Sequence, residues 1–221
     1  RVLRDLAEAY PDTFVFSVDG LFGASPETLA SVRGKAVILR VLAGSAARGS
    51  NPESDLARAE ALATSTKDLD EHRFAVGSVI DSLNSAGIDA VADDIPFTLK
   101  LPNLWHLATD VVAKIPQGLG GLEVIQAIHP TAAVSGSPTD AAVSFIDSHE
   151  GLDRGRYAGP VGWMDANGDG DWAIALRCAQ YVRSENLLTA YAGAGIVADS
   201  DPEQELLETG LKFRPITETI R

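Results

Sequence analysis

Hydrophobic and polar residues alternate in steps of two over several short segments, which is the pattern of half-buried strands. Residues Thr13 to Asp19 alternate in this way, and Asp19-Gly20 favours a tight turn into a second strand, Leu21 to Ala24. Ala36 to Leu42 is an apolar run that ends in Ala43-Gly44-Ser45, which indicates a buried strand. Such strand–turn–strand units predict antiparallel sheets.

Helical spacing replaces this alternation in the middle of the chain. From about Lys67 to Leu83, the apolar residues form one stripe that we expect to face the core. Glu71 lies well off this stripe, so the pattern allows either exposure to solvent or orientation into a cleft. His72 lies at the edge of the stripe, where packing is the expected role.

The end of the chain predicts one terminal helix from Glu203 to Thr219. Glu205, Glu208 and Lys212 share one of its faces, because they are three and four residues apart. A solvated face with a Glu208–Lys212 pair is the ordinary interpretation. The functional alternative is a pair of carboxylates that hold a hard cation such as Mg²⁺.

Two apolar-rich strands, Tyr157 to Met164 and Trp172 to Val182, precede that helix. The acidic loop between them resembles the start of an EF-hand, but Leu176 stands where a Glu is required, so a hairpin turn is favoured. Arg177 falls within the second strand, and its expected partner is either a core carboxylate or a ligand carboxylate. The pattern as a whole predicts one α+β domain over residues 1–221.

Composition and charge exclude several classes of protein. The chain of 221 residues carries 18 Lys and Arg against 31 Asp and Glu, a formal charge of −13. We therefore expect no binding to nucleic acid or to an anionic membrane. A single cysteine, Cys178, excludes an intrachain disulfide framework, and the sequence shows neither a signal-peptide core nor an apolar run of membrane-spanning length. A cytoplasmic protein is the expectation.

Several segments together resemble the chorismate-utilising enzymes, the family of isochorismate synthase, anthranilate synthase component I, aminodeoxychorismate synthase and salicylate synthase. They occur in the family's order: Gly23-Ala-Ser-Pro-Glu27, Leu42-Ala-Gly-Ser45 with Arg48, Ser65 to His72, Leu104 to Thr109, His129-Pro-Thr131 with Ser135-Gly136, Tyr157 to Trp163, Ala175-Leu-Arg177, Tyr191 to Ile196, and Glu205-x-x-Glu-Thr-x-x-Lys212. Within the family, the blocks Leu104 to Thr109 and His129 to Gly136 are most similar to isochorismate synthase. Ala132 departs from that pattern, since a Pro is usual there.

The resemblance implies a layered α/β/β/α sandwich of largely antiparallel sheets with flanking helices. It also implies a dianionic substrate, chorismate, and Mg²⁺ held by Glu71, Glu205 and Glu208. The substrate-binding residues that it implies are Gly44, Ser45, His106, Tyr157, Arg177, Gly193, Ala194, Gly195 and Lys212. Among these, Gly193-Ala194-Gly195 is also a plausible bend that exposes backbone N–H groups to an anion.

Isomerisation to isochorismate places a water oxygen at C2 while the C4 hydroxyl leaves. Glu27 matches the family's general acid, so its pKa should be raised. The family's base is a Lys upstream of the Ser-Pro-Glu segment, and Lys35, which follows Glu27, does not match it. We therefore expect further N-terminal strands that carry this Lys, and no activity from a chain that begins at Arg1.

The leading hypothesis is an Mg²⁺-dependent isochorismate synthase in menaquinone, siderophore or salicylate biosynthesis, with no obligatory protein partner. Its alternatives are a salicylate, anthranilate or aminodeoxychorismate synthase, or a non-catalytic module that binds chorismate or metal.

Overall fold

A computed structural model describes residues 1–100, 104–198 and 200–220. The strands are β1 Phe14–Val18, β2 Leu21–Ser25, β3 Thr28–Arg33, β4 Ala36–Ala47, β5 Ala90–Ala92, β6 Phe97–Lys100, β7 Leu104–Lys114, β8 Pro160–Met164, β9 Gly170–Ile174, β10 Cys178–Val182 and β11 Leu187–Tyr191. The helices are α1 Val2–Ala9, α2 Pro52–Thr64, α3 Thr66–Ser85, α4 Gly121–Ile128, α5 Ala132–Ser135, α6 Thr139–His149, α7 Pro202–Lys212 and α8 Arg214–Thr219.

The chain divides into two compact units. The terminal unit comprises Arg1–Leu29, His129–Trp163 and Asp171–Arg221, and the central unit comprises Ala30–Ile128 and Met164–Gly170. Both units mix helices with antiparallel strand pairs, so the predicted fold class is confirmed at this level. One chorismate-binding domain over residues 1–221 stays a prediction.

The terminal unit contains a four-stranded sheet in the order β1-β2-β10-β11. Gly23 on β2 is opposite both Phe16 on β1 and Cys178 on β10. A Cβ atom at Gly23 would lie only 2.7 Å from the Cys178 Cβ and from the Arg177 carbonyl oxygen, so the approach of these strands requires glycine. The core beneath them consists of Phe16, Leu21, Val161, Ala173, Ala175 and Cys178.

The central unit is built on a long antiparallel pair, β4 with β7, which runs from Ala36 opposite Lys114 to Ala47 opposite Leu104. β3 pairs with β4, while β5 and β6 pair with β7. The register of β4 shifts between Ala43 and Ser45, which places a β-bulge at Gly44.

The helices that carry candidate residues begin at clear capping signals. The Ser65 hydroxyl accepts a hydrogen bond from the Asp68 N–H at the start of α3. Asp201 caps α7 in the same way, through the N–H groups of Glu203 and Gln204, and Pro202 occupies its first turn. These caps fix where the two acidic helices begin.

Two predicted elements were wrong in their bounds. The strand expected over Trp172 to Val182 is divided into β9 and β10, because Arg177 has a φ of +48°, which no strand accommodates. The helix expected from Glu203 to Thr219 ends at Lys212, and α8 begins at Arg214 with Pro215 in its first turn. Proline fits a first turn but breaks a helix interior, which explains the division.

The helix over Lys67 to Leu83 is confirmed as α3, with Val76 and Leu83 buried as the stripe predicted. β3 was not predicted from the sequence. Across the described ranges, no helix combines the length and apolar character needed to cross a bilayer.

Candidate functional site

In the terminal unit, the glycine segment Gly193 to Gly195 lies between β11 and α7 and has no regular structure. The Lys212 ammonium donates a hydrogen bond of 2.9 Å to the Gly193 carbonyl, and it pairs with a Glu208 carboxylate oxygen at 2.6 Å. The Tyr157 hydroxyl is also adjacent, because a Cβ atom at Gly193 would lie 3.1 Å from it. The structure thus gathers four residues that the sequence predicted as candidates.

Tyr157 is held by two residues that sequence reasoning did not assign to the site. Its ring stacks on Tyr191 with 5.3 Å between centroids, and the Arg154 guanidinium lies 5.9 Å from the ring centroid. Burial raises the pKa of the Tyr157 hydroxyl, so it stays a hydrogen-bond donor. The expected position of Tyr157 on a strand was wrong, since β8 begins at Pro160.

Arg177 is half-buried and its backbone is in the left-handed region, with φ +48°. Such a backbone conformation is costly for any residue that has a Cβ atom, and it persists only where surrounding contacts enforce it. Here the Ala24 N–H donates to the Arg177 carbonyl at 3.3 Å. The conformation therefore fixes the direction in which the guanidinium leaves the backbone.

The Arg177 guanidinium interacts electrostatically with Tyr157, Glu208 and Glu27. Burial nevertheless lowers the pKa of Arg177, against the effect of these acidic groups. In the described part of the chain, no carboxylate forms a hydrogen bond with the guanidinium. The two partners predicted for Arg177 were a core carboxylate and a ligand carboxylate. Since no core carboxylate among the described residues is hydrogen-bonded to it, the guanidinium is available to a ligand carboxylate.

Glu27 follows β2 in a segment that is fixed by hydrogen bonds. The Ser25 hydroxyl donates to the Ile174 carbonyl at 2.6 Å, and the Ile174 N–H donates to the Glu27 carbonyl at 3.0 Å. Burial raises the pKa of the Glu27 carboxyl, and the Arg177 charge opposes this only in part. A raised pKa is the property required of a proton donor near neutral pH.

Glu205 and Glu208 lie one helical turn apart on α7, with Glu205 half-exposed and Glu208 exposed. Two carboxylates at this spacing suit Mg²⁺, which binds few protein carboxylates and keeps water or substrate oxygens as further ligands. Among the residues that the structure describes, no three His, Cys, Asp or Glu side chains are gathered into a metal-holding group. Glu71, the third predicted ligand, belongs to the central unit.

In the central unit, the β-bulge brings together Gly44, Ser45 and His106. Gly44 has a φ of +76°, and His106 is opposite Ser45 on β7. A ring nitrogen of His106, Nδ1, lies 3.3 Å from the Gly44 carbonyl oxygen. The three predicted substrate-binding residues of this unit are therefore neighbours.

Helix α3 packs directly on this bulge. A Cβ atom at Gly44 would lie 3.2 Å from the Asp68 Cβ, so the helix approaches the backbone closely. His72, one turn further along, is buried, with its Nδ1 3.0 Å from the Ala43 carbonyl oxygen and its Nε2 2.7 Å from the Thr109 hydroxyl. Packing was the expected role of His72, but its two polar contacts were not predicted. Glu71, the adjacent residue, is exposed.

Beyond the bulge, a partly buried ion pair joins Arg48, just after β4, to Asp55 on α2. Both carboxylate oxygens of Asp55 accept hydrogen bonds of 2.7 Å from Arg48, and the Trp105 indole N–H donates to Asp55 at 2.9 Å. The hydrogen bonds from Arg48 hold the pKa of Asp55 far below its usual range. Asp55 was not predicted, although Arg48 lies in one of the segments that carry the resemblance.

The acidic loop after β8 forms the turn that the sequence favoured. Asp165 accepts hydrogen bonds from the N–H groups of Asn167 and Asp169, at 2.8 Å and 3.0 Å. These bonds lower the pKa of the Asp165 carboxyl. The aspartates here stabilise a turn.

Comparison with known proteins places this geometry in a family. The family model described as "Chorismate binding enzyme" matches residues 1–221. The isochorismate synthase DhbC of Bacillus subtilis is 40% identical over 226 residues, which covers 97% of this chain and 56% of the relative. The structure of DhbC from Bacillus anthracis matches with a TM-score of 0.79 and 38% identity, over 99% of this chain and 61% of the other.

Anthranilate synthase component I of Streptococcus pneumoniae has a similar fold, with a TM-score of 0.81 and 30% identity over 98% of this chain and 48% of the other. The chain thus spans roughly half to three fifths of the length of these relatives. Because the family match covers the whole sequence and the predicted segments lie in its order, the chain belongs to the chorismate-binding enzymes.

Proposed function

We propose that the protein is an Mg²⁺-dependent isochorismate synthase. The observation that carries this proposal is the 40% identity to an isochorismate synthase over 97% of the chain. The match to an anthranilate synthase reaches a similar TM-score but only 30% identity. The fold is therefore common to both activities, and the sequence favours isomerisation.

Chorismate carries two carboxylates, so an acidic protein must supply local positive groups to bind it. In the terminal unit, Arg177 is suited to one carboxylate, because its planar fork donates two parallel hydrogen bonds. The protonated Tyr157 hydroxyl would assist, and Lys212 would act with the backbone of Gly193, Ala194 and Gly195. The half-buried guanidinium, with no hydrogen-bonded carboxylate in the described ranges, supports this assignment.

In the central unit, the backbone N–H groups at Gly44 and Ser45 would complete the anion-binding set, and His106 would line the ring pocket. A glycine at positive φ beside a β-bulge turns backbone groups out of the ladder, which supports this role.

The proposed reaction balances as an isomerisation. A water oxygen bonds to C2, the ring double bond shifts, and the C4–oxygen bond breaks. Glu27 would donate its proton to the departing hydroxyl, which leaves as water, while the attacking water gives up its own proton to a base. The raised pKa of Glu27 supports the donor role, since the group must be protonated when it acts.

Glu205 and Glu208, with Glu71, would hold the Mg²⁺, which when bound would neutralise a substrate carboxylate. We expect Glu205→Gln and Glu208→Gln each to raise the Mg²⁺ concentration that gives half-maximal activity by at least about tenfold, the effect typical of losing a charged ligand. Glu203→Gln, on the first turn of α7, is the matched control and should leave this value unchanged. Unaltered Mg²⁺ dependence in both ligand variants would show that this face is only solvated.

The second candidate, an ammonia-using synthase, is favoured by one observation, the TM-score of 0.81 to anthranilate synthase component I. Chromatography of the products from chorismate, with and without ammonium, separates the two activities. Isochorismate under both conditions is the expected result. Anthranilate or aminodeoxychorismate in the presence of ammonium would overturn the proposal.

We place the protein in the cytoplasm, with chorismate as its small-molecule substrate and no obligatory protein partner. The product would serve menaquinone, siderophore or salicylate biosynthesis.

A further inference from the structure

The buried His72 has two polar contacts that the proposed reaction does not use. It is 2% exposed, and its ring reaches β4 on one side and β7 on the other. A buried imidazole with both nitrogens engaged is costly to assemble unless each hydrogen bond is satisfied. The two hydrogen bonds of His72 therefore link α3 to both β4 and β7.

The direction of the hydrogen bonds follows from the partners. The Ala43 carbonyl can only accept, so Nδ1 of His72 must carry the hydrogen and donate across 3.0 Å. In the neutral ring, Nε2 is then an acceptor, and it takes the Thr109 hydroxyl proton across 2.7 Å. The tautomer is thus set by the contact with β4.

Ala43 is the last residue before the register shift of β4. Two side chains of α3, Asp68 and His72, lie one turn apart and both contact this stretch, Asp68 against Gly44 and His72 at the Ala43 carbonyl. A backbone that leaves its ladder needs other partners to keep one conformation. α3 supplies them.

We infer that His72 is a positioning residue that holds the Ala43 carbonyl and so fixes the Gly44–Ser45 backbone for an anionic substrate. The inference rests on the proposed function for the identity of that substrate, but the fixing of the backbone is independent of it. The same side chain also anchors the part of α3 that carries Glu71, the residue immediately before it.

Two isosteric variants separate the two contacts. His72→Asn keeps an amide N–H near the Nδ1 position, facing Ala43, whereas His72→Gln keeps an amide near the Nε2 position, facing Thr109. Each variant loses one buried hydrogen bond, so their thermal unfolding temperatures should fall by similar amounts. His149→Gln, at an exposed position, is the control for the substitution itself.

Hydrogen–deuterium exchange at Ala43 to Ser45 reports the bulge without any ligand. We expect exchange there to be about tenfold faster in His72→Gln than in His72→Asn, the factor that one hydrogen bond supplies. Chorismate affinity, measured calorimetrically with Mg²⁺, should follow the same order. Equal exchange in the two variants, or the reverse order, would overturn the inference.

If the wild-type protein does not bind chorismate, the proposed function fails while the exchange measurement still decides the role of His72. If either variant does not fold, the tautomer of the wild-type ring decides it, because nitrogen NMR distinguishes Nδ1–H from Nε2–H. A protonated Nδ1 supports the inference, and a neutral ring protonated at Nε2 contradicts it.

Discussion

The β-bulge of the central unit and the glycine segment of the terminal unit are both proposed to bind an anion, but they are held in different ways. Gly44 lies between two residues that pair with β7, Ala43 and Ser45, and α3 packs against it. Gly193 is contacted by two side chains, Lys212 and Tyr157. Gly195 is exposed, and a Cβ atom there would meet nothing within 4 Å among the described residues.

The difference separates a backbone fixed by the fold from one that depends on a charged side chain. The conformation at Gly44 is held by the fold itself, since its neighbours on β4 are paired with β7 and Asp68 of α3 lies against it. The segment at Gly193 depends on Lys212, which also pairs with Glu208, a proposed metal ligand. Any ligand that draws Glu208 away would therefore change what holds this segment.

The largest expected effect concerns chemistry rather than either anion-binding region. Glu27→Gln removes the proposed proton donor, and we expect turnover of chorismate to fall by about 10²–10⁴-fold with little change in substrate affinity. Steady-state kinetics and calorimetric binding on the protein as its gene encodes it provide the measurement. Glu185→Gln, in the exposed turn before β11, is the control, and full activity in Glu27→Gln would remove Glu27 from the mechanism.

The difference between the two glycine regions can be tested by making the same substitution, glycine to alanine, in each. Gly44→Ala forces a Cβ into the left-handed region at φ +76° and 3.2 Å from the Asp68 Cβ. We expect it to lower the free energy of unfolding by about 1–2 kcal/mol. Gly195→Ala should change this free energy by less than about 0.5 kcal/mol, since nothing opposes the new atom. Denaturant titration of both variants measures the two free energies of unfolding. Equal losses in the two variants would contradict the difference between the two regions.

A smaller effect than that of Gly44→Ala is expected at an exposed pair on the two long strands of the central unit, Arg40 on β4 and Asp110 on β7. Two hydrogen bonds of 2.6 Å and 2.9 Å from Arg40 lower the pKa of Asp110. Because the pKa is lowered in the folded state, the stabilisation is fully present above the ordinary aspartate pKa of about 3.9. It is lost as the pH falls below that value and through the lower pKa of the folded state.

Asp110→Asn should therefore cost less than about 1 kcal/mol at pH 7, because both side chains are exposed to solvent. The difference from wild type should shrink towards pH 3 and in high salt. Chemical denaturation at several pH values measures it. A difference that grows on acidification would contradict the sign assigned to this pair.

The sequence pattern predicted the elements that depend on hydrophobic periodicity or on turn-forming residues. α3 follows from its stripe, and the acidic turn at Asp165 follows from its turn-forming residues. The break at Arg177 was not predictable in this way, because a left-handed arginine is imposed by the packing of β2 against β10. The division of the last helix at Phe213 could have been read from Pro215, which fits only the first turn of a new helix.

The candidate site, too, was predictable from the sequence only in part. The resemblance supplied residues such as Glu27 and Arg177, and the structure brings them within electrostatic reach of each other. The sequence did not predict the contacts of Tyr191, His72 or Asp55, because these contacts join residues far apart along the chain. An aromatic residue beside the glycine segment was the hint for Tyr191.

We propose that the protein transfers a water oxygen to C2 of chorismate and releases the C4 hydroxyl. The most direct test is the reaction in ¹⁸O-labelled water, followed by mass spectrometry of the isolated product. We expect isochorismate that carries one labelled oxygen, at the C2 hydroxyl. Unlabelled isochorismate, or a product that contains nitrogen when ammonium is present, would contradict it.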